Sequence, residues 1–198
     1  MIDLIFATHN PHKVEEVSNI LSPEDFHIQT LKDLQYNDEI IEDGHTLEEN
    51  AKIKADTIYR QFGTNVMAED TGLEIEALNM EPGVRTARYA GEVRDSNANM
   101  DKVLQLLERC VEGGDKNRKA QFRAVVALWF DNRQYMFEGV IRGEIAMTKK
   151  GTGGFGYDPI FVPEGYSQSF GQLSVEIKNR LSHRARAFKK VSDFFSQI

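Results

Sequence analysis

Hydrophobic and polar positions switch between two periods along this chain, and the switches mark its elements. Residues 3–8 carry the apolar run Leu4-Ile5-Phe6-Ala7, which predicts a short buried strand. A helix is predicted over 11–21, with Pro11 suited to its first turn. A second helix is predicted over 46–62. Leu47, Ala51, Ala55, Ile58 and Phe62 recur there at helical spacing, and Thr46 with Glu49 has the capping-box pattern. Residues 65–69 and 73–78 read as two strands, separated by Asp70-Thr71-Gly72. Helical spacing returns over 95–110, where Met100, Val103, Leu104 and Leu107 share a face. Two long strands follow, 120–130 and 134–146, with a hairpin turn at Asp131-Asn132. A glycine-rich loop over 151–156 leads to a short strand over 159–162. The last helix starts at Ser182, a good N-cap, and is expected to bury Phe188, Val191, Phe195 and Ile198.

Strands and helices alternate, so the predicted class is mixed α/β with parallel and antiparallel pairs. Repeats, low-complexity tracts and long linkers are absent from the sequence, and 198 residues suit a single domain over 1–198. Hydrophobic residues make up 40% and charged residues 28%, enough for an ordinary globular core. No apolar run reaches 18 residues, so no membrane-spanning helix is expected. The opening residues lack a basic segment and an A-x-A site, so no secretory signal is expected either. Cys110 is the single cysteine, which excludes an internal disulfide and a multi-cysteine zinc site. A cytoplasmic location is the expectation. The net charge of −7 speaks against a general nucleic-acid binder, which needs a basic face. It leaves room for a small anion, because a few cations concentrated locally can outweigh the overall sign.

Four segments carry candidate chemistry. Thr8-His9-Asn10-Pro11-His12-Lys13 lies between a strand and a helix, where free N–H groups and the helix dipole favour anions. Thr8 and Asn10 can hydrogen-bond phosphate oxygens and Lys13 can pair with them; equally, the segment reads as a capped turn with a surface lysine. Ala68-Glu69-Asp70-Thr71-Gly72 places two acids at a strand end. Paired carboxylates there suit a hard divalent cation and the activation of water, although Asp-Thr-Gly is also common turn chemistry. Glu42-Asp43-Gly44 is a weaker acidic segment. The run from Gly151 to Pro159 sets Phe155 among glycines, as a base-stacking platform or as a core-directed ring in a wide turn. It lacks the ending of a P-loop. Lastly, Lys178 precedes Ser182-His183-Arg184. Two cations in the first turn of a helix oppose its dipole, which points to an anion beside them or to a solvated basic start. Lys54, one turn after Asn50, is a further phosphate candidate or an exposed helix lysine.

In order and spacing these segments resemble the Ham1-like family of non-canonical purine nucleoside triphosphate pyrophosphatases. The resemblance rests on Ala7-Thr8-x-Asn10-x-x-Lys13-x-x-Glu16, Glu49-Asn50-Ala51-x-x-Lys54-Ala55 and Ala68-Glu69-Asp70-Thr71-Gly72-Leu73. It continues through Pro82-Gly83, Ala87-Arg88-Tyr89-Ala90-Gly91, the segment from Gly151 to Pro159, and Lys178 with Ser182-His183-Arg184-x-x-Ala187. It implies an elongated mixed sheet flanked by helices, two lobes with a central cleft, and a homodimer. It implies Mg²⁺-dependent hydrolysis of ITP, dITP and XTP to the monophosphate and pyrophosphate, clearing deaminated purines from the nucleotide pool. By position, Thr8, His9, Asn10, Pro11, His12 and Lys13 would hold the phosphates, with Lys54 nearby. Asp70 would be the catalytic base and a metal ligand, with Glu42, Asp43 or Glu69 as the second ligand. Thr71, Phe155, Gly156, Tyr157, Asp158, Lys178, His183 and Arg184 would complete the nucleotide site. His9 departs from the family, where glycine is common. His183 and Arg184 would donate to the 6-oxo group that adenine lacks, and Phe155 would stack on the base.

Overall fold

A computed structural model describes residues 1–114 and 116–198. Among the described residues the sheet has seven strands: β1 (Ile2–Phe6), β2 (Phe26–Thr30), β3 (Val66–Ile75), β4 (Pro82–Gly83), β5 (Lys119–Phe130), β6 (Arg133–Ile145) and β7 (Phe161–Pro163). Their order is β2-β1-β3-β5-β6-β7, with β4 paired to β3 outside this path. β1 runs parallel to β2 and β3, whereas β3–β4 and β6–β7 are antiparallel. The mixed α/β class expected from the pattern is the one observed. Five α-helices accompany the sheet among the described residues: α1 (Pro11–Ile20), α2 (Leu47–Phe62), α3 (Ser96–Glu112), α4 (Val175–Leu181) and α5 (His183–Phe195). None is long and apolar enough to cross a membrane.

Local chemistry explains most boundaries. Asn10 caps α1, Thr46 and Glu49 close a reciprocal capping box on α2, Asp95 caps α3 and Ser182 caps α5. Asp131 and Asn132 both take positive φ, at 49° and 58°, as a two-residue hairpin turn between β5 and β6 requires. Two expectations fail, and two elements went unannounced. The strands expected over 65–69 and 73–78 are one, β3, which runs straight through Asp70-Thr71-Gly72. Eight of its ten residues are buried, the mark of a strand covered on both faces. β2 and α4 lie in polar stretches whose periodicity is too weak to announce them; β2 buries only Phe26, and α4 only Lys178. Ile198 lies past the end of α5 and is 73% exposed, so the buried stripe stops at Phe195.

The chain divides into two compact units. Unit 1 comprises Met1–Asp70, Ala124–Gly139 and Ser182–Ile198; unit 2 comprises Thr71–Arg123 and Val140–Leu181. Unit 1 has two apolar clusters. One joins Leu4, Phe6, Met67, Ala124, Val126 and Leu128 to Val17 of α1 and to Phe188 and Val191 of α5. The other joins Ile5, Val66, Ala68, Val125 and Ala127 to Ala51, Ala55 and Ile58 of α2. Consecutive strand residues therefore feed opposite faces, as the two-residue period of a strand demands. Unit 2 packs Leu73 and Ile75 with Met100, Val103 and Leu107 of α3, and with Phe122, Ile141, Phe161 and Phe170.

Candidate active site

The alternation along β3 continues into charged residues at the end of its unit 1 segment. Met67 faces α1 and α5, and Glu69 follows it on that side. Ala68 faces α2, and Asp70 follows it on the other. Each acid has its own ion-pair partners, and Lys13, paired with Glu69, acts on Asp70 as well.

On the α2 face, Asp70 is 9% exposed and Lys54 7%. Lys54 Nζ donates to Asp70 Oδ1 at 2.8 Å and to Glu42 Oε2 at 2.5 Å, so one ammonium serves two carboxylates. Asn50, one turn earlier on α2, donates to Asp70 Oδ2 at 3.4 Å and accepts from the Gly44 amide at 2.9 Å. That contact seats the loop carrying Glu42. A Cβ on Gly44 would lie 2.6 Å from Asn50 Oδ1 and 2.7 Å from Glu49 Cβ, so only glycine lets the loop approach. Burial raises the Asp70 carboxyl above its ordinary range, against the pull of Lys54 and Lys13. Burial also works against the Lys54 charge, but Asp70 and Glu42 outweigh it and its pKa rises. Lys54 is thus no exposed helix lysine.

On the opposite face, Arg184 is 1% exposed and grips Glu69 with two nitrogens: Nη2 to Oε1 at 3.0 Å and Nε to Oε2 at 3.2 Å. Its Nη1 pairs with Glu16 Oε2. Lys13 Nζ lies 3.2 Å from Glu69 Oε2 and donates to the Glu69 carbonyl at 3.3 Å. Burial holds the Lys13 ammonium below the usual lysine range, although Glu69 opposes this. The anion that two cations at the start of α5 called for is, for Arg184, supplied by the protein's own carboxylates. Each of its three nitrogens makes a contact there, and a guanidinium carries five N–H donors in all. His183 beside it is buried, at 4% exposure.

The strand-to-helix segment also spends part of its capacity internally. Asn10 Oδ1 accepts from the His12 and Lys13 amides at 3.0 and 3.4 Å, and Thr8 Oγ1 accepts from the Asn10 amide at 3.1 Å. These caps set the turn and leave the Asn10 carboxamide nitrogen as its donor. Pro11 and His12 are exposed at the helix start. His9 stacks on Tyr36 at 6.3 Å between centroids and meets the Asp38 carbonyl at 3.0 Å. The side chain at this departure from the family is thus held against the 36–38 loop.

Unit 2 carries the glycine-rich segment. Asp158 Oδ2 accepts from the Phe155 amide at 2.7 Å and from Lys178 Nζ at 2.5 Å. Lys178 Nζ also stands 4.8 Å from the Phe155 ring centroid, a cation–π distance. Phe155 and Gly156 are half-buried, and Asp158 is buried. Gly154 has φ +71°, and a Cβ there would fall 2.0 Å from Asp158 Oδ2. Tyr157 is buried, and its hydroxyl donates to the Thr86 carbonyl at 2.8 Å. Thr71 follows Asp70 on β3 and is half-buried.

Three participants were not singled out in the sequence. Glu16 stood in the family pattern without a role, although its i, i+3 spacing from Lys13 puts both on one helix face. Asn50 stood in the family pattern and Gly44 in the acidic segment, each without a role. Of the candidates for second acid beside Asp70, Glu42 alone shares Lys54 with it. Asp43 is exposed, and Glu69 lies on the other face of the strand.

Comparisons with known proteins place the whole chain in one family. The Ham1 family model matches residues 4–194. A dITP/XTP pyrophosphatase of Flavobacterium johnsoniae is 44% identical over 193 residues, covering 98% of this chain and 97% of that protein. One from Bacillus subtilis is 41% identical, covering 97% and 96%. Among solved structures, a HAM1 protein from Coxiella burnetii superposes with a TM-score of 0.90 at 34% identity, covering all of both chains. The Staphylococcus aureus Ham1 protein superposes with a TM-score of 0.87 at 36% identity, covering 98% of each. With the family motifs in place from Thr8 to Arg184 and the match running almost end to end, the chain belongs to the Ham1 family.

Proposed function

We propose that this protein hydrolyses non-canonical purine nucleoside triphosphates, ITP, dITP and XTP, at the bond between the α- and β-phosphates, releasing monophosphate and pyrophosphate. The observation that carries the assignment is Asp70: a buried carboxylate of raised basicity on β3, held by Lys54 and Asn50, with Glu42 on the same ammonium. A general base needs that combination of basicity and fixed position. The relatives named dITP/XTP pyrophosphatase supply the substrate class.

Asp70 positions a water and takes its proton as the water attacks the α-phosphorus. Lys13 and Lys54 offset the charge that moves onto the leaving pyrophosphate. Thr8 and Asn10 orient the phosphates. The acids fit Mg²⁺ in their chemistry: Glu42 and Asp70 are oxygen donors, and two carboxylates on one ammonium leave a net negative charge. Glu42 and Asp70 would hold the ion, which supplies further neutralisation of phosphate charge when bound. Among the described residues no three acids, histidines or cysteines converge. One or two carboxylates, completed by substrate phosphates, is how Mg²⁺ usually binds nucleotide enzymes. The Phe155–Asp158 loop and Lys178 are assigned to the nucleotide, with Phe155 stacking on the base and His183 and Arg184 donating to it. A homodimer working in the cytoplasm on the precursor pool completes the proposal.

The test is a product analysis with ITP, XTP, dITP, ATP, GTP and dTTP in the presence of Mg²⁺. Pyrophosphate released from the first three, and far less from ATP and GTP, is the expected result. Release of orthophosphate, or equal turnover of ATP, overturns it.

A further inference from the structure

We propose that Glu16 is a positioning residue that holds Lys13 in place through Arg184 and Glu69, an inference that rests on the phosphate role assigned to Lys13 above. The four residues come from three elements: Lys13 and Glu16 from α1, Glu69 from β3 and Arg184 from the first turn of α5. All lie in unit 1.

The order of contacts gives the order of control. Arg184 meets Glu69 with two parallel nitrogens, which fixes the plane of the carboxylate. Its third nitrogen meets Glu16, so the guanidinium cannot turn about its own axis without losing that partner. Glu69 Oε2 is then a fixed point, and Lys13 Nζ lies 3.2 Å from it. The Glu69 side chain is fully buried and that of Arg184 is 1% exposed, so neither can exchange a lost partner for bulk water cheaply. In these contacts two cations face two carboxylates. Removing the charge of Glu16 takes a carboxylate from Arg184 and leaves Glu69 between Arg184 and Lys13. Glu69 then follows Arg184, and the tether on Lys13 slackens. Glu16 touches neither phosphate nor water in this scheme; its effect reaches the substrate only through Lys13.

A double-mutant cycle tests this on the full-length enzyme with ITP and Mg²⁺. Glu16→Gln is expected to lower kcat/KM about tenfold, the size of one weakened charge-assisted hydrogen bond, with KM changing more than kcat. In the Lys13→Ala background the same substitution is expected to change kcat/KM less than about twofold, because the tethered group is gone. A structural role would lower Tm in both backgrounds and lower kcat/KM by the same factor in both. An equal penalty in the two backgrounds therefore overturns the inference while leaving the proposed activity standing. A wild-type enzyme inert on every nucleotide removes the activity and this inference together. If Lys13→Ala turns over too slowly to measure, the cycle is read on the Kd for inorganic tripolyphosphate, with the same two outcomes. If Glu16→Gln does not fold, Glu16→Asp, which keeps the charge and shortens the reach, is carried through the same cycle.

Discussion

Glu69 and Asp70 are neighbours in sequence and sit on opposite faces of one strand, Glu69 against Arg184 and Lys13, Asp70 against Lys54 and Asn50. Two adjacent acids therefore do unlike jobs. Glu69 belongs to an ion-pair cluster that ties α1 and α5 to β3. Asp70 belongs to a set with one acid in excess, beside the lysines assigned to phosphate.

Substituting the two acids should separate these jobs. Asp70→Asn is expected to reduce kcat by about 10²–10⁴-fold, the usual worth of a general base, with Tm nearly unchanged. Glu69→Gln leaves a buried guanidinium short of its main partner, which costs about 3–5 kcal/mol and should lower Tm sharply. Paired thermal melts and turnover assays check this. Near-normal turnover by Asp70→Asn would remove it from catalysis.

Lys54 should act as a stand-in for a metal's charge. In Lys54→Met, Glu42 and Asp70 lose their shared ammonium, and Mg²⁺ should raise Tm by more than it does in the wild type. An equal Mg²⁺ effect in both proteins would mean the ion binds elsewhere. Chelation is expected to abolish turnover. The pH dependence of stability has a definite sign. The Lys54 pKa is raised in the folded state, so its contribution is fully present below the ordinary lysine pKa and is lost as pH rises through the folded one. The stability gap between wild type and Lys54→Met should therefore close only at strongly alkaline pH.

Lys13 moves the other way. Burial lowers its pKa, so its ammonium is present below that lowered value and gone above it, at a pH where surface lysines are still charged. The kcat/KM profile should fall on this alkaline limb. Lys13→Arg keeps the charge, and should carry the limb to higher pH even if its maximum is lower. A limb that stays in place would assign the titration to another group.

Gly154 should be intolerant of any side chain. Alanine there meets positive φ, worth about 1–2 kcal/mol, and a Cβ 2.0 Å from Asp158 Oδ2. Displacing Asp158 breaks its bonds to Lys178 and to the Phe155 amide together. Gly154→Ala is thus expected to raise KM for ITP about tenfold or more, matching the loss of one charge-assisted bond. Unchanged KM would detach this loop from the nucleotide.

Much of this was legible beforehand because it is local. Asn10, Thr46 with Glu49, and Ser182 announce helix starts through side chains that reach their own backbone. The hairpin at Asp131-Asn132 needs only two residues that accept positive φ. The acidic segment of β3 misled for the same reason. Asp-Thr-Gly is turn chemistry on its own terms, and only Lys54 and Asn50, brought from α2, let a buried strand carry Asp70. Polar stretches such as β2 and α4 became regular through pairing and packing that no short window displays.

By itself, then, the sequence determined the α/β class, most element boundaries and the identity of the chemically equipped segments, because periodicity and capping act over a few residues. Only the tertiary structure decided which charges meet. Glu16 and Arg184 are 168 positions apart, and Lys13 and Glu69 are 56 apart. Burial and its partners decide how such pairs behave: desolvation is the largest influence on both lysines, but it prevails at position 13, where Lys54 and Arg184 add to it, and is outweighed at position 54 by the charges and hydrogen bonds of Asp70 and Glu42.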